Sequence, residues 1–468
     1  MISIATGLLY LFLGKLLYNT RGHYHWSILP YSLLFFTLMA GLIWESTSNR
    51  LSAFAQRTTK LNRILLGVCS VGLSYSILLM NKKPNVIYKK PLEVEIWFQG
   101  TLFISAGLGL LIMGWVYFFL KQTQLSPAAK LLSRIKTTSL LLGVLLIFAQ
   151  LLIPFYSPTP WIDVFVNNSA AVEFLLQGKN PYAQTYVDIY NGAIPDRPGF
   201  LYFPGLLFWF APFQFLFHDL RFSLVAAHVL IAFLLHQLTQ RRSQTLGSSV
   251  FACLIPLLWL TFPVTYFVLE QSWVDTILIL FSLLLMDRID QKKWMQAAVV
   301  LGVTATLKQH AFLISFLAFL RIAQLTHLRQ AIQIGLVATG VFTGILLPFL
   351  IADWSAFWQM VLTPITSPGY RRNSFGLTDY LVNEWDTFLP YWSQMSISLG
   401  ALAFSVVLLF KDSNKRLSSL VSALLVCFGF SYLFGKWSYC NYHYLLAFFL
   451  LLSLALSAEQ FSKPLERV

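Results

Sequence analysis

The chain is predicted to be all-α, a polytopic transmembrane helix bundle of about 14 spans, and three observations carry that prediction. Of its 468 residues 57% are hydrophobic and only 11% are charged, against roughly 25% charged in soluble globular domains. The apolar runs are about 20 residues long, as a membrane-crossing helix requires, and lack the short alternating segments of a barrel. The basic residues fall in short connections between the runs, which is the bias that orients membrane helices.

The spans begin near Ile2, Trp26, Arg63, Trp97 and Thr137, then Arg221, Ser248, Trp273, Trp294, Gln309, Ala331, Tyr391, Leu417 and Asn441. Met1 to Tyr18 reads as an uncleaved helix, because Lys15 interrupts it and no small-residue cleavage site follows. The break from Leu120 to Ala128, with Lys121 and Pro127, divides a four-helix extension (1–125) from a larger membrane module (126–468). After Trp161 comes a polar stretch too hydrophilic to cross a bilayer. It opens with Asp163, the N-cap of a juxtamembrane amphipathic helix from Val164 to Gln177. Gly178 stops that helix and Asn180-Pro181-Tyr182 turns the chain. Leu201–His218 contains Pro204 and Pro212 and is read as a re-entrant or surface-lying helix, and Trp294–Arg321 as two short helices.

Charge sets the orientation. The net charge of +14 does not indicate nucleic acid, since the cations are spread over inter-span loops. Placing Asp163 outside the cytoplasm puts Arg50, Arg57, Lys121, Arg134, Arg241, Arg242, Arg288, Lys292, Arg321, Lys415 and Arg416 inside. Lys82, Lys83, Lys89 and Lys90 fall outside, partly offset by Glu93 and Glu95. The four cysteines show no metal or disulfide spacing, and no internal repeat of the kind that builds many transporters is evident.

On the outer side this topology gathers Asp163, Glu173, Lys179, Asp188, Asp196, Arg197, Glu270, Lys308, His310, Arg371, Arg372, Lys436 and His443. Ionisable groups at helix mouths are costly unless paired or facing a watery cavity, so each carries a functional and a plain reading. Asp163 is a general base, a helix cap, or both. Lys308 binds phosphate or reaches for the interface. Arg371 and Arg372 offer forked donors to phosphate or to anionic headgroups. Lys436-Trp437 and Asn441-Tyr442-His443-Tyr444 form a smaller patch that also suits an interfacial belt. Asp275 lies a turn inside the membrane and needs a partner, for which Lys308 is available.

Four local patterns carry a resemblance. Asp163 follows a span and precedes Gly178-Lys179-Asn180-Pro181-Tyr182; Tyr202-Phe203-Pro204-Gly205 precedes the next apolar segment; Gln271-Ser272-Trp273-Val274-Asp275 opens a later helix; and Leu301-Gly302 leads to Lys308. From about Ser126 onward the chain resembles the GT-C superfamily of polytopic glycosyltransferases, nearest to the mannosyltransferase-like glycosyltransferase family 87. It departs from that pattern by losing one proline at Gly205 and by carrying Glu270 where the pattern has glycine.

The resemblance implies a membrane glycosyltransferase of the bacterial inner membrane, with its active site outside the cytoplasm. It would move mannose or a similar sugar from a polyprenyl-phosphate donor to a lipid-linked or glycan acceptor, with inversion. Asp163 would be the single general base, and Lys308, His310, Arg371, Arg372 and Lys436 would bind the donor phosphate. Tyr182, Tyr202, Glu270 and Asp275 would contact substrate. No cofactor or metal is expected, and the partners are the donor, the acceptor and membrane lipids. The principal alternative is a transporter or flippase of lipid-linked glycans, for which polar residues should run through the full depth of the bundle.

Overall fold

The computed structural model describes residues 2–47, 58–89, 92–122, 124–192, 199–366, 372–435 and 438–457. Every element among them is helical. Four helices lead: α1 (Ile2–Thr20), α2 (Ile28–Thr47), α3 (Thr58–Lys82) and α4 (Leu92–Lys121). Then come α5 (Leu125–Tyr156), α6 (Asp163–Leu176), α7 (Gly205–Phe217), α8 (Arg221–Arg241), α9 (Leu246–Leu260) and α10 (Thr265–Glu270). The next group is α11 (Asp275–Asp290), α12 (Trp294–Ala305), α13 (Ala311–Leu325) and α14 (Leu328–Ala352). Two single-turn helices, α15 (Trp354–Phe357) and α16 (Thr363–Thr366), flank a wider turn over Trp358–Leu362. The chain closes with α17 (Leu377–Trp385), α18 (Tyr391–Lys411), α19 (Leu417–Leu433) and α20 (Cys440–Leu456).

Seven of these helices are long and apolar enough to cross a membrane: α1, α3 over Asn62–Lys82, α4, α5, α8, α14 and α18. α9, α12, α13, α19 and α20 are apolar but have 12–17 residues, so seven long helices stand against the expectation of about 14 spans. At about 1.5 Å per residue, the 17 residues of α20 reach roughly 26 Å, less than the ~30 Å of hydrocarbon. In α20 every residue except Tyr442 and Ser453 is buried, with α1, α8, α9, α11 and α19 packed around it. A helix that is apolar on all sides belongs either in lipid or inside a bundle, and α20 is the bundle's inner post. Hydropathy along the chain does not separate the two cases.

The four leading helices share this core. α4 lies along α5, α3 packs on α9, α2 on α19, and α1 on α20. The Tyr10 hydroxyl of α1 donates to the Leu258 carbonyl of α9 at 2.6 Å. After α1 the chain turns at Gly22, with φ +77°, so tightly that a Cβ there would lie 2.2 Å from the Cys440 backbone nitrogen. The four leading helices thus each pack against a helix of the larger module.

The segments expected to be broken are short helices. α7 has 13 residues, is capped by Pro204 and contains Pro212, which makes it shorter than the seven long helices. Its Gly205 N–H donates to the Thr306 carbonyl at 2.9 Å. A Cβ on Gly205 would lie 2.2 Å from the Thr306 hydroxyl, and a proline would have no N–H to donate. This contact accounts for glycine where the resembling pattern has its second proline. α12 and α13 are the two predicted short helices, separated by the bend that carries Lys308 and His310.

Candidate functional site

A cavity of about 500 Å³ opens where the first turn of α6, the bend between α12 and α13, and the start of α20 converge. Asp163, Lys308, Gln309, His23, Asn373 and Asn441 supply its polar groups. Tyr190, Tyr202, Trp273, Tyr439 and Tyr442 supply aromatic walls. A mostly apolar cleft with a few convergent polar groups is the usual form of a small-molecule site.

Asp163 reaches this cavity from the helix rather than from just before it. The helix starts at Asp163 with Ile162 in the cap position, so the predicted boundary shifts by one residue. The Asp163 carboxylate accepts from the Val164 N–H at 2.9 Å and from the Tyr190 hydroxyl at 3.3 Å. At the other end Gly178, with φ +72°, stops α6 as predicted, and Lys179 N–H closes back on the Phe174 carbonyl at 2.9 Å. Outside the membrane-spanning helices, burial pushes the pKa of the Tyr88 hydroxyl up, and the carboxylates of Glu270 and Asp163 push in the same direction.

Lys308 meets Asp275, as its availability suggested. Its Nζ lies 3.0 and 3.1 Å from the two carboxylate oxygens, and Asn441 donates to the same carboxylate at 2.7 Å. The ammonium also sits 4.6 Å from the centre of the Tyr442 ring and 5.7 Å from that of Tyr202. Asp275 is completely buried and absorbs much of the lysine's charge. Lys308 is therefore one half of an ion pair whose ammonium edges the cavity, not an isolated cation. Gln309 ties the surrounding loops together, donating from Nε2 to the Leu201 carbonyl at 2.6 Å and the Val361 carbonyl at 3.1 Å.

Several residues singled out from sequence stand elsewhere. Glu270 is fully buried and is not a cavity wall. Its oxygens accept from the Ile87 and Tyr88 N–H groups at 2.7–2.9 Å and from the Ser157 hydroxyl at 2.8 Å. A glycine at 270 could not hold the loop between α3 and α4 in this way. Tyr182 is buried against Phe200, Phe349 and Phe357, and its hydroxyl donates to the Tyr202 carbonyl at 2.9 Å. His310 lies behind the cavity among Phe428, Tyr432 and Tyr442, 3.7 Å from Asp275. Arg372 is exposed beside Phe388, one residue from the cavity-lining Asn373. Glu173 accepts from Gln214 at 3.3 Å, and Asp188 folds its own loop by accepting from the Tyr190 and Gly192 N–H groups. Arg371, Lys436, Asp196 and Arg197 lie outside the described residues.

The loop bearing Asn373 is held by a buried carboxyl. Asp379 accepts from the Ser374 hydroxyl at 2.6 Å and the Ser374 N–H at 3.1 Å, and the Ser374 hydroxyl accepts from the Ser438 N–H at 3.1 Å. Burial pushes the pKa of Asp379 up to about 7, with the Ser374 hydrogen bonds opposing it.

Sequence reasoning did not anticipate His23, Tyr190, Asn373 or Tyr439 as cavity residues. His23 comes from the leading segment, and its only local signal is Arg21-Gly22, the left-handed pair that ends α1. Among the described residues no group of three or more His, Cys, Asp or Glu is placed to hold a metal ion. Comparison with protein-family models, with curated proteins and with solved structures gave no match to this chain.

Proposed function

We propose that the protein is an integral membrane glycosyltransferase that takes a sugar from a polyprenyl-phosphate carrier, with Asp163 as general base. The observation that carries this reading is the cavity itself: the Asp163 carboxylate and the Lys308 ammonium line one aromatic-walled space of about 500 Å³. In the proposed reaction the acceptor hydroxyl passes its proton to Asp163. Its oxygen bonds to the anomeric carbon while the bond from that carbon to the phosphate oxygen breaks. The lipid phosphate leaves on the opposite face and the configuration inverts.

Phosphate departs without a proton, so one base is enough. The Lys308 N–H that is not committed to Asp275 is assigned to the departing phosphate, where a preorganised donor stabilises the growing charge. Arg371 and Arg372 remain assigned to the donor from sequence, as the cations nearest to Asn373 in the chain. Tyr202, Trp273 and Tyr442 are assigned to the apolar faces of the sugar. The outer side of the bacterial inner membrane is the proposed location, because the carrier supplies the sugar where nucleotide sugars are absent.

The test is transfer by the purified full chain in lipid, with a panel of radiolabelled polyprenyl-phosphate sugars and membrane lipid extract as acceptor. Asp163→Asn should lower turnover by about 10²–10⁴-fold, the usual worth of a positioned base, with membrane insertion unchanged. Full activity in that variant would remove Asp163 from the base role. Labelled lipid-linked sugar crossing proteoliposome membranes without any transfer would replace the transferase with a transporter.

A further inference from the structure

A second cavity, of about 250 Å³, lies at the far end of the helices that carry the first. α11 gives the separation: Asp275 starts it beside Lys308, and Asp290 ends it at the second cavity, roughly 22 Å away at ~1.5 Å per residue. α13 runs the same way, from His310 at its start to Arg321 near its end. The two cavities are therefore distinct, and nothing in the proposed transfer reaction uses the second.

Its walls hold five cations, Arg242, Lys292, Arg321, Lys415 and Arg416, and one carboxylate, Asp290. They come from α8, α11, α13 and the connections before α12 and α19. Asp290 is committed to an ion pair with Arg242. Asp412, 4% exposed, lies within ion-pair distance of both Arg321 and Arg416. It is occupied by the Ser419 hydroxyl at 2.5 Å, the Arg416 N–H at 2.7 Å and Arg321 Nη2 at 3.5 Å. Cations thus outnumber the carboxylates available to balance them.

Arg321 makes the imbalance specific. It is 0% exposed, yet its Nε and Nη1 have no hydrogen-bond partner among the described residues, although it lines the cavity. Two donors of a buried guanidinium left unmade are costly; they lie on different edges of its plane, and each suits an anionic oxygen such as that of a phosphate. The first turn of α19, a 17-residue helix, opens on the same space through Leu417 and Ser418 and adds the positive end of its dipole.

We propose that this cavity binds the phosphate of an anionic ligand, either a phospholipid headgroup or free phosphate, between Arg321, Arg416, Lys292 and the start of α19. In the orientation that the loop charges favour, it faces the cytoplasmic leaflet. The inference stands apart from the transferase reading, because its readout is binding and not transfer.

The test uses the purified full chain in neutral detergent. Equilibrium dialysis measures radiolabelled inorganic phosphate and dioctanoyl-phosphatidylglycerol, with phosphate-free dioctanoylglycerol as control. Saturable binding of at least one phosphate probe is expected, weakened at least tenfold in Arg321→Met and in the double variant Lys292→Gln/Arg416→Gln. Lys292 is exposed and Arg416 half-buried, so that double variant keeps the test decisive if Arg321→Met does not fold. Saturation by the phospholipid alone assigns a headgroup, and saturation by inorganic phosphate assigns the free anion. Binding that does not saturate, that equals the dioctanoylglycerol control, or that is unchanged in Lys292→Gln/Arg416→Gln would overturn the proposal.

Discussion

At Asp379 the cost of burying a carboxyl can be turned into a stability measurement. Its pKa in the folded chain, about 7, stands well above the ~3.9 of an unfolded aspartate, so the folded state holds this proton more tightly. The favourable contribution is therefore complete below about pH 4 and is lost as pH rises towards 7. The melting temperature of the purified chain should fall over that interval, and Asp379→Asn should remove this part of the pH dependence while preserving most of the contact with Ser374. An identical pH profile in wild type and variant would show that Asp379 is not the responsible group. Single residues were unevenly legible in the sequence. Asp163 was found from an acid after an apolar run, and Gly178 from its place after a helical pattern. Glu270 was misassigned because an acid that grips two distant backbone amides looks, in sequence, the same as one that faces a substrate.

At the scale of elements, the Lys308–Asp275 pair pins the bend between α12 and α13 to the start of α11, and Asn441 adds the start of α20. Both ions are buried, so removing one strands the other, at about 3–5 kcal/mol. Asp275→Asn and Lys308→Met should each lower stability by that order, and the double variant should recover a large part of the loss. A double-mutant cycle from thermal unfolding in detergent reads this directly, and strictly additive losses would deny the coupling. The breaks themselves were legible: Pro204 and Pro212 marked α7, and Lys308 marked the bend. Helix lengths were less so, because α9, α19 and α20 are as apolar as the seven long helices yet have only 15–17 residues and are packed among protein neighbours. The pairing of Lys308 with Asp275 could be named from topology, but not its distance.

For the whole molecule, the leading helices share one core with the rest. The break between Leu120 and Ala128 reads as a module boundary; α4 and α5 on either side of it pack along each other, and His23 from before the break reaches the cavity. Sequence distance conceals such contacts, since nothing near Gly22 announces Cys440. Gly22→Val should cost at least about 1–3 kcal/mol from the positive φ alone, with the collision against Cys440 adding to it. A lowered unfolding midpoint is the expected readout, with Gly100→Ala, which has open space around it, as the tolerated comparison. An unchanged midpoint in Gly22→Val would show that the α1 terminus is not held against α20. The same contact dictates an order of events during synthesis. α1 is made before α20, and this part of the surface it must settle on follows about 400 residues later. At ~5–20 residues per second the ribosome takes roughly 20–80 s to supply it. For that interval α1 waits without its final partner, and the cavity cannot close around His23 until the start of α20 has been made.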